Sequence, residues 1–342
     1  MSMVLFYAAR YGDSATLKEI YRAGADVNSL DDQGRTPLMY AAIGNHDSTI
    51  NTLKSCGAII NMADRESKTA LHWACQYGHT DSARALLYAG ADLASKDLLG
   101  KNPIHYAAAI ETSECIHSVL RFAKPEAIDT LDDEKSTPLM IAAMAGHYEG
   151  VQTLLNFGAN FEKKGRHDMC AFHHLYKNRN TKCCSIMTRY NFKAIGLKDK
   201  YGRTLLHLAA GAGNVTVVNF LLESGANHLE IDSFKRTALH WATVNGHTAC
   251  VNLLSAKQNA LYLQDCYGAS PLHYAAQKNH IHCALILLKK GSSINLQDNE
   301  GRTPFMWAAK EGLKEMIKIF LLHAVDVEIQ DQKGNRGIHL FN

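Results

Sequence analysis

Between Asp64 and Asp97 the apolar residues fall into two short clusters separated by a glycine. Leu71, Ala74 and Cys75 lie at helical spacing and are mostly small; Ala83, Ala85, Leu86 and Leu87 form a second helical stripe after Gly78. The narrow first face lets two helices approach closely. A polar turn, Asp64-Arg65-Glu66-Ser67, precedes the first cluster, and Tyr88-Ala89-Gly90-Ala91-Asp92 leads out of the second. The pattern predicts a turn, a helix, a reversal at Gly78 and a second helix. Thr69 stands at the N-cap, where its hydroxyl can accept from first-turn amides. In sister segments Pro37, Pro103, Pro138, Pro271 and Pro304 follow that cap, at the one helical position where a missing N–H costs little. The turns Asp31-Asp32-Gln33-Gly34 and Asp298-Asn299-Glu300-Gly301 end in glycine, which accepts a positive φ without strain.

The same arrangement recurs along the chain. Copies of a T-P-L-H-like tetrad begin at Thr36, Thr69, Asn102, Thr137, Thr204, Thr237, Ser270 and Thr303, with weaker copies at Met3, Cys170 and Arg336. Nearly every step is 33 residues; the exceptions are 35 after Asn102 and 34 after Cys170. A 33-residue T-P-L-H period resembles the ankyrin-repeat family. That resemblance implies an all-α solenoid of about ten helix-turn-helix units with β-hairpin-like turns and a truncated final unit. No unit can bury its apolar face alone, so the expected domain is one continuous array over residues 1–342.

Three places bend the period. The first unit lacks turn and tetrad but carries Ser2, Arg10 and Asp13, as a polar N-terminal cap requires. The unit from Asn102 is two residues long in the stretch around Phe122 and Pro125. The unit from Cys170 lacks the turn aspartate, and a polar run over residues 177–182 follows it. The expectation is a degenerate joint near 164–198 between regular halves at 3–163 and 199–342. The last unit starts at Arg336 and stops at Asn342, which reads as a chain cut from something longer or covered at that end.

The formal charge of +3, from 36 basic and 33 acidic residues, argues against a nucleic-acid or anionic-membrane binder. No apolar run reaches the length of a spanning helix, and no secretory segment opens the chain. Nine cysteines, an odd number in varied repeat slots, suggest reduced thiols and a cytoplasmic protein. Of eighteen histidines, seven close a tetrad and five follow a first helix, so twelve belong to the scaffold. A tetrad histidine is expected to bond the backbone of the adjoining turn. Trp73, Trp241 and Trp307 all follow a tetrad and are expected to pack between repeats. His167, Cys170, His173, His174, Cys183 and Cys184 crowd together in sequence and raise the idea of zinc, but their spacings do not suit one. No phosphate loop, metalloprotease helix or nucleophile elbow is present. The expectation is no enzyme, no metal, no cofactor and no small-molecule substrate.

The predicted partner is another protein, bound on the concave face formed by turn tips and first helices. The third residue of successive turns runs Gln33, Glu66, Leu99, Glu134, then Tyr201, Phe234, Tyr267, Glu300. Three aromatic residues thus stand at consecutive tips, with Arg203 and Arg236 beside them. Aromatic residues and arginine are the usual interface anchors. The other reading is a ladder of rings covering one another. Lys278 and Lys310, with Gln277 and Glu311, would extend the surface.

Within the family, the segments 31–40, 201–218, 268–277 and 301–309, together with the insertion at Phe122 and Pro125, resemble inversin-type ciliary scaffolds. That resemblance implies a scaffold in ciliary or Wnt-type signalling that joins nephrocystin-type partners and dishevelled; the calmodulin-binding segments of that type are absent here. It leaves open a targeting module of a larger effector, such as a channel, a ubiquitin-ligase receptor or an acyltransferase. The ankyrin-repeat resemblance also implies that Asn28, in Gly24-Ala25-Asp26-Val27-Asn28, is a candidate for asparaginyl hydroxylation.

Overall fold

The computed structural model describes residues 2–178, 181–256 and 258–340. Arg179 and Asn180 of the polar run over 177–182, and Asn342, lie outside the described residues. The described residues are helical and contain no strand beyond one isolated bridge, Gln330 to Arg336. They form two compact units, Met1–Arg166 and His167–Asn342.

In the first unit, the first helices are Ser2–Tyr11, Pro37–Ile43, Ala70–Gln76, Pro103–Ala108 and Pro138–Ala145. Their partners are Ser14–Arg22, Asp47–Ser55, Thr80–Tyr88, Ser113–Leu120 and Tyr148–Asn156. Each first helix packs on the next first helix, and each second helix on the next second helix. Leu71, Ala74, Cys75 and Leu86 are fully buried, as the apolar pattern requires. The second unit repeats the plan. First helices are Leu205–Gly211, Ala238–Val244, Pro271–Gln277 and Pro304–Lys310, paired with Val215–Glu223, Thr248–Leu254, Ile281–Lys289 and Lys314–Leu322.

The tetrad does more than cap a helix. In the repeats that carry histidine, His72 Nδ1 accepts from the Thr69 backbone N–H at 3.0 Å, and Nε2 meets the Lys101 carbonyl of the next turn at 3.1 Å. A backbone N–H can only donate and a carbonyl can only accept, so the ring is the neutral Nε2–H tautomer. His105, His207, His240 and His273 make the same bridge, to Ser136, Arg236, Ala269 and Arg302. In the threonine and serine repeats the cap hydroxyl also lies against the imidazole within the capping box (Thr69 Oγ1 to His72 Nδ1, 2.9 Å), and in the Asn102 repeat Asn102 Oδ1 accepts from the His105 amide at 3.2 Å. Where methionine replaces histidine, at Met39, Met140 and Met306, the threonine accepts from the third helical amide. The histidines after the first helices are also struts: His79, His247 and His280 reach back to Ala42, Gly211 and Val244 carbonyls of the preceding repeat.

The two-residue insertion forms one extra helical turn, Pro125–Ile128. Asn102, standing where other repeats have threonine or serine, donates its Nδ2 to the Ala127 carbonyl at 2.9 Å. The unusual tetrad residue and the extra length are thus one feature. The unit from Cys170 keeps the same wiring with a weaker helix. Its first helix, Ala171–Lys177, is three-ten rather than α. Cys170 Sγ takes the hydroxyl's place against His173 Nδ1 at 3.1 Å, and His173 Nε2 meets the Leu197 carbonyl.

Candidate functional site

The turn aspartate sets the geometry of each tip. Asp199 Oδ1 accepts from the backbone N–H of Tyr201 and of Arg203, both at 2.9 Å, which closes the loop. Gly202 follows the tip residue at φ +73°. The tip carbonyl then accepts from the next turn: Tyr201 O from Ser233 N, Phe234 O from Cys266 N, and Tyr267 O from Asn299 N, at 2.8–3.0 Å. Main-chain bonds therefore hold the three residues at successive tips. Their rings do no such work and stay in solvent, 39% exposed at Tyr201, 44% at Phe234 and 59% at Tyr267. Ring contacts link none of the three to another, so they do not form the mutual ladder that was the alternative.

Arginine accounts for part of the difference in exposure. Arg203 chelates the Asp199 carboxylate through Nε at 2.7 Å and Nη2 at 2.6 Å, and its guanidinium lies 5.0 Å from the centre of the Tyr201 ring. Arg236 does the same with Asp232 and Phe234, again 5.0 Å from the ring. Both also lie on the Trp241 ring, at 5.5 and 4.7 Å. Trp241 Nε1 donates to Asp232 Oδ2 at 3.0 Å; Trp73 and Trp307 donate likewise to Asp64 and Asp298. Burial pushes the Asp232 carboxyl up. The Arg236 amide, the Trp241 indole and the Arg236 guanidinium outweigh it and hold the group below the usual carboxylate range. The tryptophans thus anchor to the turn of their own repeat as well as packing between repeats. Nothing in the tetrad alone signals this, because the partners are nine residues apart and meet only after the turn closes.

Lys278 is exposed at the end of helix Pro271–Gln277. Lys310 lines a depression of about 100 Å³ with Gln277, Arg302, Trp307 and Glu311. Asn28 is far less free: its Nδ2 donates to Gly57 O at 3.2 Å and its Oδ1 accepts from Ile59 N at 2.8 Å. It braces one outgoing loop against the next, as Asn61 does with Gly90 and Asp92.

Around Cys170 the sequence cluster disperses. Cys170 and His173 make up a tetrad, and Cys183 and Cys184 are buried in Lys182–Tyr190, where burial raises their thiols to about 11 and about 12. Among the described residues no three histidine, cysteine or acidic side chains converge as metal ligands would. None of the nine cysteines is in a disulfide. Among those residues, no helix is long and apolar enough to cross a membrane.

Sequence models described as Ankyrin repeats (3 copies) match residues 5–97, 94–165, 160–232, 227–298 and 257–332. Among curated proteins, a Caenorhabditis elegans homologue of transient receptor potential cation channel subfamily A member 1 is 27% identical over 100 residues, covering 29% of this chain and 8% of that protein. The putative E3 ubiquitin-protein ligase XBAT31 of Arabidopsis thaliana is 34% identical over 118 residues, 31% of this chain and 25% of that one. Human inversin is 33% identical over 101 residues, 29% of this chain and 10% of that one. The matches thus span a quarter or less of each relative.

Proposed function

The chain belongs to the ankyrin-repeat family, and from that premise we propose a non-enzymatic scaffold whose protein partner docks across the turn tips of residues 199–310. The observation that carries this is the row Tyr201, Phe234 and Tyr267. Three aromatic rings are exposed at consecutive tips whose backbone is already satisfied, so closure of the turns does not depend on them. Exposed aromatic anchors backed by arginine are what a protein interface uses. Arg203 and Arg236 contribute as stacked planes and not as free charges, because each is already chelated by an aspartate. Lys278 and Lys310 extend the surface. In this reading residues 1–342 work as one array with a softer joint at 164–198.

The likeness to inversin favours a signalling scaffold of the ciliary or Wnt type. A second reading is a targeting module in a larger effector. It is supported by relatives named as a cation channel and a ubiquitin ligase, of which the chain matches only a small share. The full transcript separates the two: IQ-type segments downstream support the first, a membrane span or a SOCS-like box the second. Imaging of the tagged protein in ciliated cells tests the cytoplasmic and ciliary placement.

The interface itself is tested by affinity purification with mass spectrometry. Wild type is run beside a Tyr201→Ala, Phe234→Ala, Tyr267→Ala variant and a Leu98→Ala, Leu99→Ala control. Proteins lost with the triple variant and kept by the control support the tip row; identical lists from all three would refute it. Asn28 is proposed as a hydroxylation site that must open its bracing bonds to react. Mass spectrometry of cell-derived protein should show an added oxygen there, and an unmodified peptide argues against it.

A further inference from the structure

The residue just before each tetrad is usually a cation held in a slot of the same design. In the first unit Lys68 shows how such a slot works. Its Nζ lies 3.0 Å from Glu66, donates to Gln76 Oε1 at 3.2 Å, and sits 4.8 and 5.2 Å from the ring centres of Trp73 and Tyr106. An ammonium is thereby kept at 9% residue exposure between two aromatic walls. In the second unit Arg203, Arg236 and Arg302 fill the corresponding place and pair with Asp199, Asp232 and Asp298.

Ser136, Met169, Ala269 and Asn335 break this column, and of these the Ala269 repeat keeps the aromatic walls. Moving 201 residues along the chain carries Asp64, Lys68, Trp73, Gln76 and Tyr106 onto Asp265, Ala269, Tyr274, Gln277 and Trp307. The turn carboxylate, both rings and the amide are retained; the cation is gone, and Tyr267 stands in the place of its ion-pair partner Glu66. Asp265 Oδ1 accepts from the Tyr267 and Ala269 amides, and Oδ2 accepts from the Tyr274 hydroxyl. No ion pair reaches it, unlike the aspartates before and after it. Trp307 meets Tyr274 edge-on, 5.8 Å between ring centres. Above them Tyr267 has no guanidinium against it, and it is the most exposed ring of the tip row. A buried carboxylate with aromatic walls and no counter-ion is electrostatically complementary to a cation.

Resting on the reading that a partner crosses these tips, we infer that the Asp265–Tyr267–Tyr274–Gln277–Trp307 slot takes a lysine or arginine side chain from that partner. The cation would part Trp307 from Tyr274, lie on their faces, and meet the Gln277 amide as Lys68 meets Gln76. Arg302 lies 5.4 Å from the Trp307 ring centre and leaves one face of that ring to the slot, and its charge is neutralised by Asp298 and Glu300 as that of Arg236 is by Asp232. Lys278, exposed one turn beyond Tyr274, opposes a cation but is screened by solvent.

The chain's three tryptophans make the test specific. N-acetyl-lysine amide, N-acetyl-arginine amide and neutral N-acetyl-norleucine amide are titrated into the labelled full chain while the indole N–H signals are followed by NMR. The two cationic amides should shift Trp307 saturably. Trp73 and Trp241, whose slots are filled from within, should stay still, and the norleucine amide should move none of them. Ala269→Lys should abolish the Trp307 shift. Asp265→Asn, which keeps the turn-closing acceptor, should weaken it roughly tenfold, the size expected for a desolvated cation contact. No Trp307 response, or an undiminished one in Ala269→Lys with its melting profile intact, overturns the slot. If partner capture still depends on the tip row, the slot fails alone. If Trp307 responds while the triple alanine variant captures its partners unchanged, the tip-row reading fails and the cation site stands.

Discussion

The units Met1–Arg166 and His167–Asn342 are built from the same parts. Both bridge repeats through tetrad histidines, and both close turns on an aspartate. They differ at the tips. The first unit presents Gln33, Glu66, Leu99 and Glu134, and two of these serve the scaffold: Glu66 pairs with Lys68, and Glu134 with Arg166. The second presents Tyr201, Phe234 and Tyr267, whose rings the repeat does not require. A residue the repeat needs is recognised by its recurrence, so a side chain at a tip that recurs only in one unit points to a partner. The predictions that follow test whether scaffold and surface separate in this way.

The largest effect belongs to the scaffold. His273→Ala strands the Ser270 amide and the Arg302 carbonyl and leaves a cavity, a loss of about 2–4 kcal/mol in chemical denaturation. A loss below about 1 kcal/mol would show that the bridges are dispensable. The pH response comes next. Burial holds His240 and His273 down to about 4, against an unfolded value of about 6.5. Unfolding therefore takes up protons below pH 6.5. The contribution is complete above that value and is lost as pH falls toward 4, by about 1.4 kcal/mol per pH unit for each ring. Denaturation midpoints should hold level from pH 7.5 to about 6.5 and fall from there to pH 5; a flat profile throughout contradicts the neutral-ring wiring.

Two smaller effects sharpen the same contrast. Asn102→Thr restores the commoner tetrad residue yet removes the bond to the Ala127 carbonyl. It should cost about 1 kcal/mol, whereas a gain would separate the asparagine from the insertion. Ser67 occupies a turn position at φ +60° that glycine fills in sister repeats. Ser67→Gly should stabilise by up to about 1 kcal/mol through relief of that strain, readable as a raised melting temperature.

Much of this was legible in the sequence. The tetrad period predicts the helix pairs, and the tip column picks out Tyr201, Phe234 and Tyr267. Linear spacing places threonine at the cap but does not show that the imidazole three residues on shares its hydroxyl in the histidine repeats. The aspartate-to-tryptophan and arginine-to-ring contacts depend on turn closure, so linear spacing conceals them. Ala269 did carry a signal: the column Arg35, Lys68, Lys101, Ser136, Met169, Arg203, Arg236, Ala269, Arg302, Asn335 lacks a cation at four places, and only at Ala269 do a tyrosine and a tryptophan follow 5 and 38 residues on. It gains meaning only when Lys68 reveals what the column holds.

The division between scaffold and surface is tested most directly by melting and partner capture measured on one variant, Tyr201→Ala, Phe234→Ala, Tyr267→Ala. The account predicts a melting temperature within about 2 °C of wild type, since exposed rings contribute little to the fold, together with loss of the captured protein. Undiminished capture, or a collapse in melting temperature, would contradict it.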